Sequence, residues 1–287
     1  MKKCYLCNHS RFVNVGKVGS SHQAFSFKSY LWQCLNCGLF CLDPVPDERK
    51  LSKIYSGVYH YNPNKIKEFV ISLYSSFELR SDYNLVKDYQ KKGKALDIGA
   101  GRGDFLLKFP ADKWEKWAYD PFLSSSDTEL LRRKIGSNIN NYHDLNDYPA
   151  DYFDLIILRN VIEHTLKFVE LLRSISKILK KDGILFIRTP NMDSLDFRFF
   201  KTNWYVIKMA GHLVFFNKNS LSQTLGRVGL KAKYVKATSR SAPASLLRSA
   251  KLSLSLPITV VVSIIYSFFS QVLGEGGDLR AISQKNK

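Results

Sequence analysis

Four of the five cysteines stand in two Cys-x-x-Cys pairs, Cys4 with Cys7 and Cys34 with Cys37. Each pair makes a tight knuckle, and two knuckles can place four thiolates tetrahedrally. That donor set suits a structural zinc ion, because four protein thiolates leave no open position for a substrate or water. The competing reading is a redox or catalytic role. Gly38 suits the turn after the second pair, and Cys41 lies outside both. The 26 residues between the pairs exceed the finger spacing of about 15 to 20, so a small β-rich insert is expected in place of a compact finger.

A second constellation begins at Asp97-Ile98-Gly99-Ala100-Gly101-Arg102-Gly103-Asp104. Its glycines let a backbone turn tightly and come close to a nucleotide. The spacing is G-x-G-x-G, and Asp104 occupies the place where a dinucleotide site needs its third glycine. A pyrophosphate beside that carboxylate is disfavoured, whereas a zwitterionic amino-acid cofactor has cationic ends that carboxylates hold well. Asp120 lies 21 residues after Gly99, at the end of the next apolar run, where an acid accepts both hydroxyls of a ribose. Arg159-Asn160-Val161-Ile162-Glu163-His164 is the third group. Glu163 or His164 is a candidate general base on an acceptor hydroxyl, or else a helix-start residue that fixes a turn. His212, in Gly211-His212-Leu213-Val214-Phe215-Phe216, is a candidate base or a structural histidine.

These residues need a scaffold that brings them to one edge. Ala95 to Ile98, Trp117 to Tyr119, Phe153 to Leu158 and Ile184 to Ile187 read as strands, and Phe168 to Leu179 as a regular helix. Strands alternating with helices predict an α/β fold with a largely parallel sheet covered on both faces. The glycine loop and the Arg159 segment then emerge at the carboxyl edge, where such sheets bind ligands. A helix over Asn219 to Val228 and strands over Lys231 to Ala237 and Leu279 to Ser283 complete the pattern. Asp43-Pro44-Val45-Pro46 ends the cysteine module, and Leu51 to Lys92 reads as helical.

The residues Leu96 to Gly103 with Tyr119-Asp120 resemble the class I methyltransferases that use S-adenosylmethionine. His143-Asp144-Leu145, Phe153 to Leu158 and Leu179 to Gly183 extend the likeness over about residues 93 to 237, and it is expected to run to Ser283. The resemblance implies a Rossmann-like seven-stranded sheet. It implies that Asp97, Gly99 and Gly101 line the methionine end, with Ala100 between them, that Asp120 holds the ribose, and that Asp144 with Leu145 faces the adenine. Arg159 and Asn160 complete the cofactor set. Relatives of the quinone type place an acid where Asn160 stands and bind a divalent metal there; asparagine weakens such a site here. Three segments are expected: a zinc-ribbon-like module over 1–45, a helical linker over 46–92, and the methyltransferase domain over 93–287. Within the last, the aromatic and basic stretch 191–216 reads as a substrate lid, and 252–274 as an apolar helix.

Composition narrows the acceptor only partly. The formal net charge is +18, and residues 191–251 carry eleven Lys and Arg against two Asp. Such a surface attracts phosphorylated small molecules, nucleic acid or acidic lipid headgroups. With no secretory signal behind Met1-Lys2-Lys3, and with cysteines read as metal ligands, a cytoplasmic protein is expected, in possible contact with the inner face of the membrane. Leu252 to Gly274 holds no charge, but Thr259, Ser263, Ser267 and Ser270 recur at helical spacing. The segment thus reads as one-sided, lying on an anionic leaflet, on its own sheet or on a second subunit of a homodimer. The leading acceptor is a small molecule, sugar or lipid-linked glycan of a cell-envelope pathway. RNA is the alternative, since similar ribbons precede both sugar and ribosomal RNA methyltransferases. A non-catalytic nucleotide-binding module is the third reading.

Overall fold

The computed structural model describes residues 3–19, 28–46, 65–136, 138–139, 144–209, 211–239, 249 and 256–286, with backbone alone for 65–75, 256–260, 263 and 264. His143 and much of the 46–64 segment, used above, lie outside the described residues, as do Arg240, Arg248 and Lys251 of the basic stretch 191–251.

Strands β4 (Gly93–Ile98), β5 (Trp114–Tyr119), β6 (Asn138–Ile139), β7 (Phe153–Arg159) and β8 (Leu179–Pro190) run parallel; β10 (Leu230–Thr238) and β11 (Asp278–Lys285) close the far side. The order is β10-β11-β8-β7-β4-β5-β6, with β11 antiparallel to both neighbours. This is the seven-stranded Rossmann-like sheet of class I methyltransferases. The central strand β7 is a near-continuous apolar run, Leu155 to Leu158 fully buried, because helices cover both faces. Helix α3 (Phe168–Ile178) covers one face with Phe168, Leu172, Ile175 and Ile178, spaced three and four apart. Helices α1 (Lys65–Lys87) and α2 (Ser125–Ile135) cover the other, where Val86, Leu131 and Ile135 meet Phe105, Phe109 and Phe186.

A second, four-stranded sheet has the order β1-β2-β3-β9. Strands β1 (Phe12–Gly19) and β2 (Lys28–Cys34) form the antiparallel insert between the cysteine pairs, and β3 (Phe40–Asp43) follows the second pair. The fourth strand, β9 (Val214–Phe215), comes from the stretch expected to be a lid. That stretch also supplies Met192, Phe197, Trp204, Val206 and Ile207 to one core with Val18, Leu31, Phe40 and Leu42. Phe197 and Trp204 therefore pack under the small sheet, while Phe199 stays exposed. Helices α4 (Leu195–Phe200) and α5 (Tyr205–Lys208) carry them, and Ser194 starts α4 by accepting the Phe197 amide at 3.1 Å. Helix α6 (Lys218–Arg227) is capped likewise by Asn217.

Helix α7 (Leu256–Val272) joins β10 to β11. Among the described residues no helix is long and apolar enough to cross a membrane. The topology points the same way: β10 and β11 are paired neighbours, so both ends of α7 return to one sheet.

Candidate active site

Asp97 sits on β4, next to the central strand β7, paired in register with Ala118 and Ile157, and is buried. Burial and the neighbouring Asp120 push its carboxyl up to about 7, against the opposing pull of Arg159. The loop that follows takes positive φ at Gly99, Gly101 and Gly103. A Cβ at Gly99 would lie 2.5 Å from the Val161 side chain, so glycine is required there by space as well as by φ. Asp120 reaches back under the loop: one oxygen accepts the Gly101 amide and the other the Phe122 amide, each at 3.0 Å. Both oxygens are acceptors, the chemistry that a ribose hydroxyl needs. Ala100 lies in the same loop and is partly buried, while Asp104 is turned away in an ion pair with Lys134 at 2.7 Å.

Arg159 ends β7 and lies over the Phe105 ring, and its Nε donates to Asp82 of α1 at 3.1 Å. Asp82 also accepts from Arg188, whose guanidinium donates to Glu78 and Asp278 at 2.6 Å each. These buried acids hold α1 against the carboxyl half of the sheet. Sequence reading missed them, because acids on a mixed polar helix carry no local signal. Asn160 adopts φ 54°, a left-handed conformation that asparagine tolerates, and its side chain is exposed. Asp144 caps a short helical turn, accepting from the Asn146 amide at 2.7 Å, and Leu145 packs into the core.

Glu163, His164 and His212 come together, with one polar atom of each within 4.8 Å of the others. Glu163 is fully buried; one oxygen accepts the Thr189 hydroxyl at 3.0 Å and the other has no partner among the described residues. Burial raises its carboxyl to about 8. His164 donates through Nδ1 to the Gly211 carbonyl at 3.0 Å, which puts its lone pair on Nε2, and burial lowers it to about 4. The His212 ring stands edge-on to His164 at 4.7 Å, is bonded to the Val206 carbonyl, and is held neutral by burial. At pH 7 the cluster is thus a protonated acid with two neutral imidazoles. Its backbone is tied to the small sheet: the Leu213 amide donates to the Glu163 carbonyl, and the Leu42 amide to the Leu213 carbonyl.

The four paired cysteines converge next door. Cys4 Sγ lies 3.6 Å from Cys37 Sγ, Cys7 Sγ lies 3.5 Å from Cys34 Sγ, and all four fall within 4.8 Å. None is disulfide-bonded. Tetrahedral zinc with Zn–S near 2.3 Å sets sulfur atoms about 3.8 Å apart, so the donors present fit that ion. Backbone amides of Leu6 and Cys7 point at Cys4, and those of Asn36 and Cys37 at Cys34, the pattern of two knuckles. Among these thiols Cys4 is the acidic one, held down to about 5 by its bond with Cys37, while Cys37 is pushed up.

A family profile described as a methyltransferase domain matches residues 75–235, more than half of the chain. The chain belongs to this methyltransferase family. A ubiquinone biosynthesis O-methyltransferase of Pelagibacter ubique is 27% identical over 144 residues, covering 48% of this chain and 57% of that protein. A tRNA U34 carboxymethyltransferase of Campylobacter lari is 27% identical over 164 residues, covering 53% and 54%. The chain therefore spans about half the length of the curated relatives it matches. In fold, the family member resembles a Burkholderia thailandensis 1,6-didemethyltoxoflavin-N1-methyltransferase, solved with S-adenosylhomocysteine, at TM-score 0.54 and 12% identity over 89% of this chain and 99% of that one.

Proposed function

We propose that the protein transfers a methyl group from S-adenosylmethionine to a sugar or lipid-linked glycan intermediate of the cell envelope, working in the cytoplasm. The observation that carries the cofactor is Asp97, a buried carboxyl beneath a glycine loop, raised by burial, with Asp120 clamping that loop. Such an acid is completed by a cation, and the ammonium and sulfonium of the cofactor supply cationic ends. Asp97, Gly99 and Gly101 would hold that end, Asp120 the ribose, and the Asp144-Leu145 turn the adenine. S-adenosylmethionine brings a methyl activated on sulfur; its transfer to a hydroxyl leaves a neutral thioether and releases the hydroxyl proton. The chain's own contribution is positioning and exclusion of water. His164 Nε2, carrying the lone pair, is the candidate to receive that proton, with Glu163 and His212 fixing the corner around it. Four thiolates would hold one structural zinc ion in the small sheet beside them.

The glycan reading is supported by exposed Arg198, Phe199 and Lys201 at the end of α4, cationic and aromatic groups suited to a phosphorylated sugar. RNA is the second reading, favoured by eleven cations between Phe197 and Gly274 without one acid. Methyl transfer from radiolabelled S-adenosylmethionine into cell extract separates the two, with Asp97→Ala as the blank. Label in the lipid-plus-glycan fraction is expected. Label in RNA overturns the acceptor, and no cofactor binding at all overturns the enzyme in favour of a nucleotide-binding module.

A further inference from the structure

Helix α7 and the residue after it carry six large apolar side chains on the outside. Val261, Ile265, Phe268, Phe269, Val272 and Leu273 are each 51% to 68% exposed. They fall at spacings of three and four, which draws one continuous stripe along the helix. Three polar side chains face inward: Ser270 is fully buried, Ser267 donates to the Ser239 carbonyl, and the Tyr266 hydroxyl meets Asp196, while Gln271 is exposed. A soluble helix does the opposite, so the stripe is an apolar surface without a cover among the described residues.

Charge decides which cover fits. Between Asp196 and Glu275 the sequence holds eleven Lys and Arg and no Asp or Glu, and α7 closes that stretch. Lys218 anchors on the Gly274 carbonyl, one residue beyond the stripe, at 3.2 Å. Lys233 and Lys236 are exposed on β10, the strand α7 packs against. A second copy of the chain would bring two such cationic regions face to face. A nucleic acid would satisfy the cations yet leave aliphatic and phenyl groups in water. An anionic lipid leaflet meets both demands, with headgroups for the lysines and the acyl boundary for the stripe. The pairing of β10 with β11 at the two ends of α7 keeps the helix flat on that surface.

We infer that α7 is a monotopic membrane contact which seats the protein on an anionic lipid surface. The inference rests on this helix and the lysines around it and is independent of the methyl acceptor, because lipid binding is read without any transfer reaction. The test is flotation of the full chain with vesicles of phosphatidylcholine alone and of phosphatidylcholine mixed with phosphatidylglycerol, at low and high salt. The wild type is expected to float with the anionic vesicles, to lose most of that binding in high salt, and to ignore the neutral ones. The double variant Phe268→Ser, Phe269→Ser removes two exposed rings and is expected to lose at least about tenfold in bound fraction. Its melting temperature and S-adenosylmethionine affinity are expected to match the wild type. Failure of the wild type to bind anionic vesicles overturns the inference, as does equal binding by the double variant. A dimer in sedimentation that this variant dissolves would assign the stripe to a second copy and overturn it too, as would phenylalanine-dependent binding of short RNA in place of vesicles.

Discussion

Asp97 and Glu163 are both buried carboxyls that burial drives upward, to about 7 and about 8, and both stand at the carboxyl edge of the same sheet. Their surroundings differ. Asp97 shares its field with Arg159 and lies under a loop of backbone amides and glycines, where an arriving cation ionises it. Glu163 has two neutral imidazoles beside it, and burial outweighs the Thr189 hydroxyl and backbone hydrogen bonds that favour its carboxylate. One edge is thus built to change protonation when the cofactor binds, whereas the other rests neutral, with Glu163 fixed as a protonated acid beside His164. The supports differ as well: the Asp97 edge rests on the central strands, and the Glu163 corner hangs through Leu213 on a sheet organised by four thiols.

Loss of the metal should therefore separate the two regions. Zinc is expected at one ion per chain, read by elemental analysis. Cys34→Ser, or removal by a chelator, is expected to lower the melting temperature by about 10 °C, some 3 kcal/mol, as the small sheet and the core it shares with Phe197 and Trp204 loosen. Affinity for S-adenosylmethionine in the surviving fold should stay within about threefold. An unchanged melting temperature, or a protein purified without metal, would sink the zinc assignment.

The cofactor edge is broken selectively by Asp97→Asn. Affinity for S-adenosylmethionine is expected to fall at least about 100-fold, near 3 kcal/mol, in calorimetry. For the wild type, binding a cation requires the ionised acid, so affinity should drop about tenfold per pH unit below 7 and level off above it. Stability of the cofactor-free protein runs the other way. With the folded group at about 7 and its ordinary value at 3.8, the folded chain keeps a proton that the unfolded chain has lost, so stability falls as pH rises between those values. The asparagine variant lacks that loss and should melt higher than the cofactor-free wild type at pH 7. A pH-independent affinity would separate Asp97 from the cofactor's charge.

Legibility in the sequence followed the range of each interaction. The glycine loop, Asp120 and the cysteine pairs are short patterns, and the strands and helix α3 follow from apolar periodicity, so six of the seven strands were readable in the residues, while the two-residue β6 came only with the family resemblance. The Glu163 corner is assembled from Thr189, Gly211 and Leu42, and the clamp on Arg159 from Asp82, 77 positions away. No local pattern announces those partners. The aromatic stretch around Trp204 looked like a lid because its core partners lie on β1 to β3, nearly two hundred positions earlier. For α7 the serine spacing showed a one-sided helix, yet which side turns inward depends on Ser239 and Asp196, residues outside the helix.

The finest division between the two edges is reached with Glu163→Gln. Glutamine keeps the shape and the neutrality of a protonated acid, so at pH 5 the variant should be within about 1 kcal/mol of the wild type in denaturant unfolding. The wild type then loses stability as pH rises from 4.5 towards 8, because the folded chain holds a proton the unfolded chain releases; the variant should lack that slope. Turnover should remain within about threefold, whereas a carboxylate acting as general base would cost about 100-fold or more when replaced by an amide. A loss of that size, with folding intact, would move Glu163 from a fixed neutral corner to the chemistry itself and erase the contrast with Asp97.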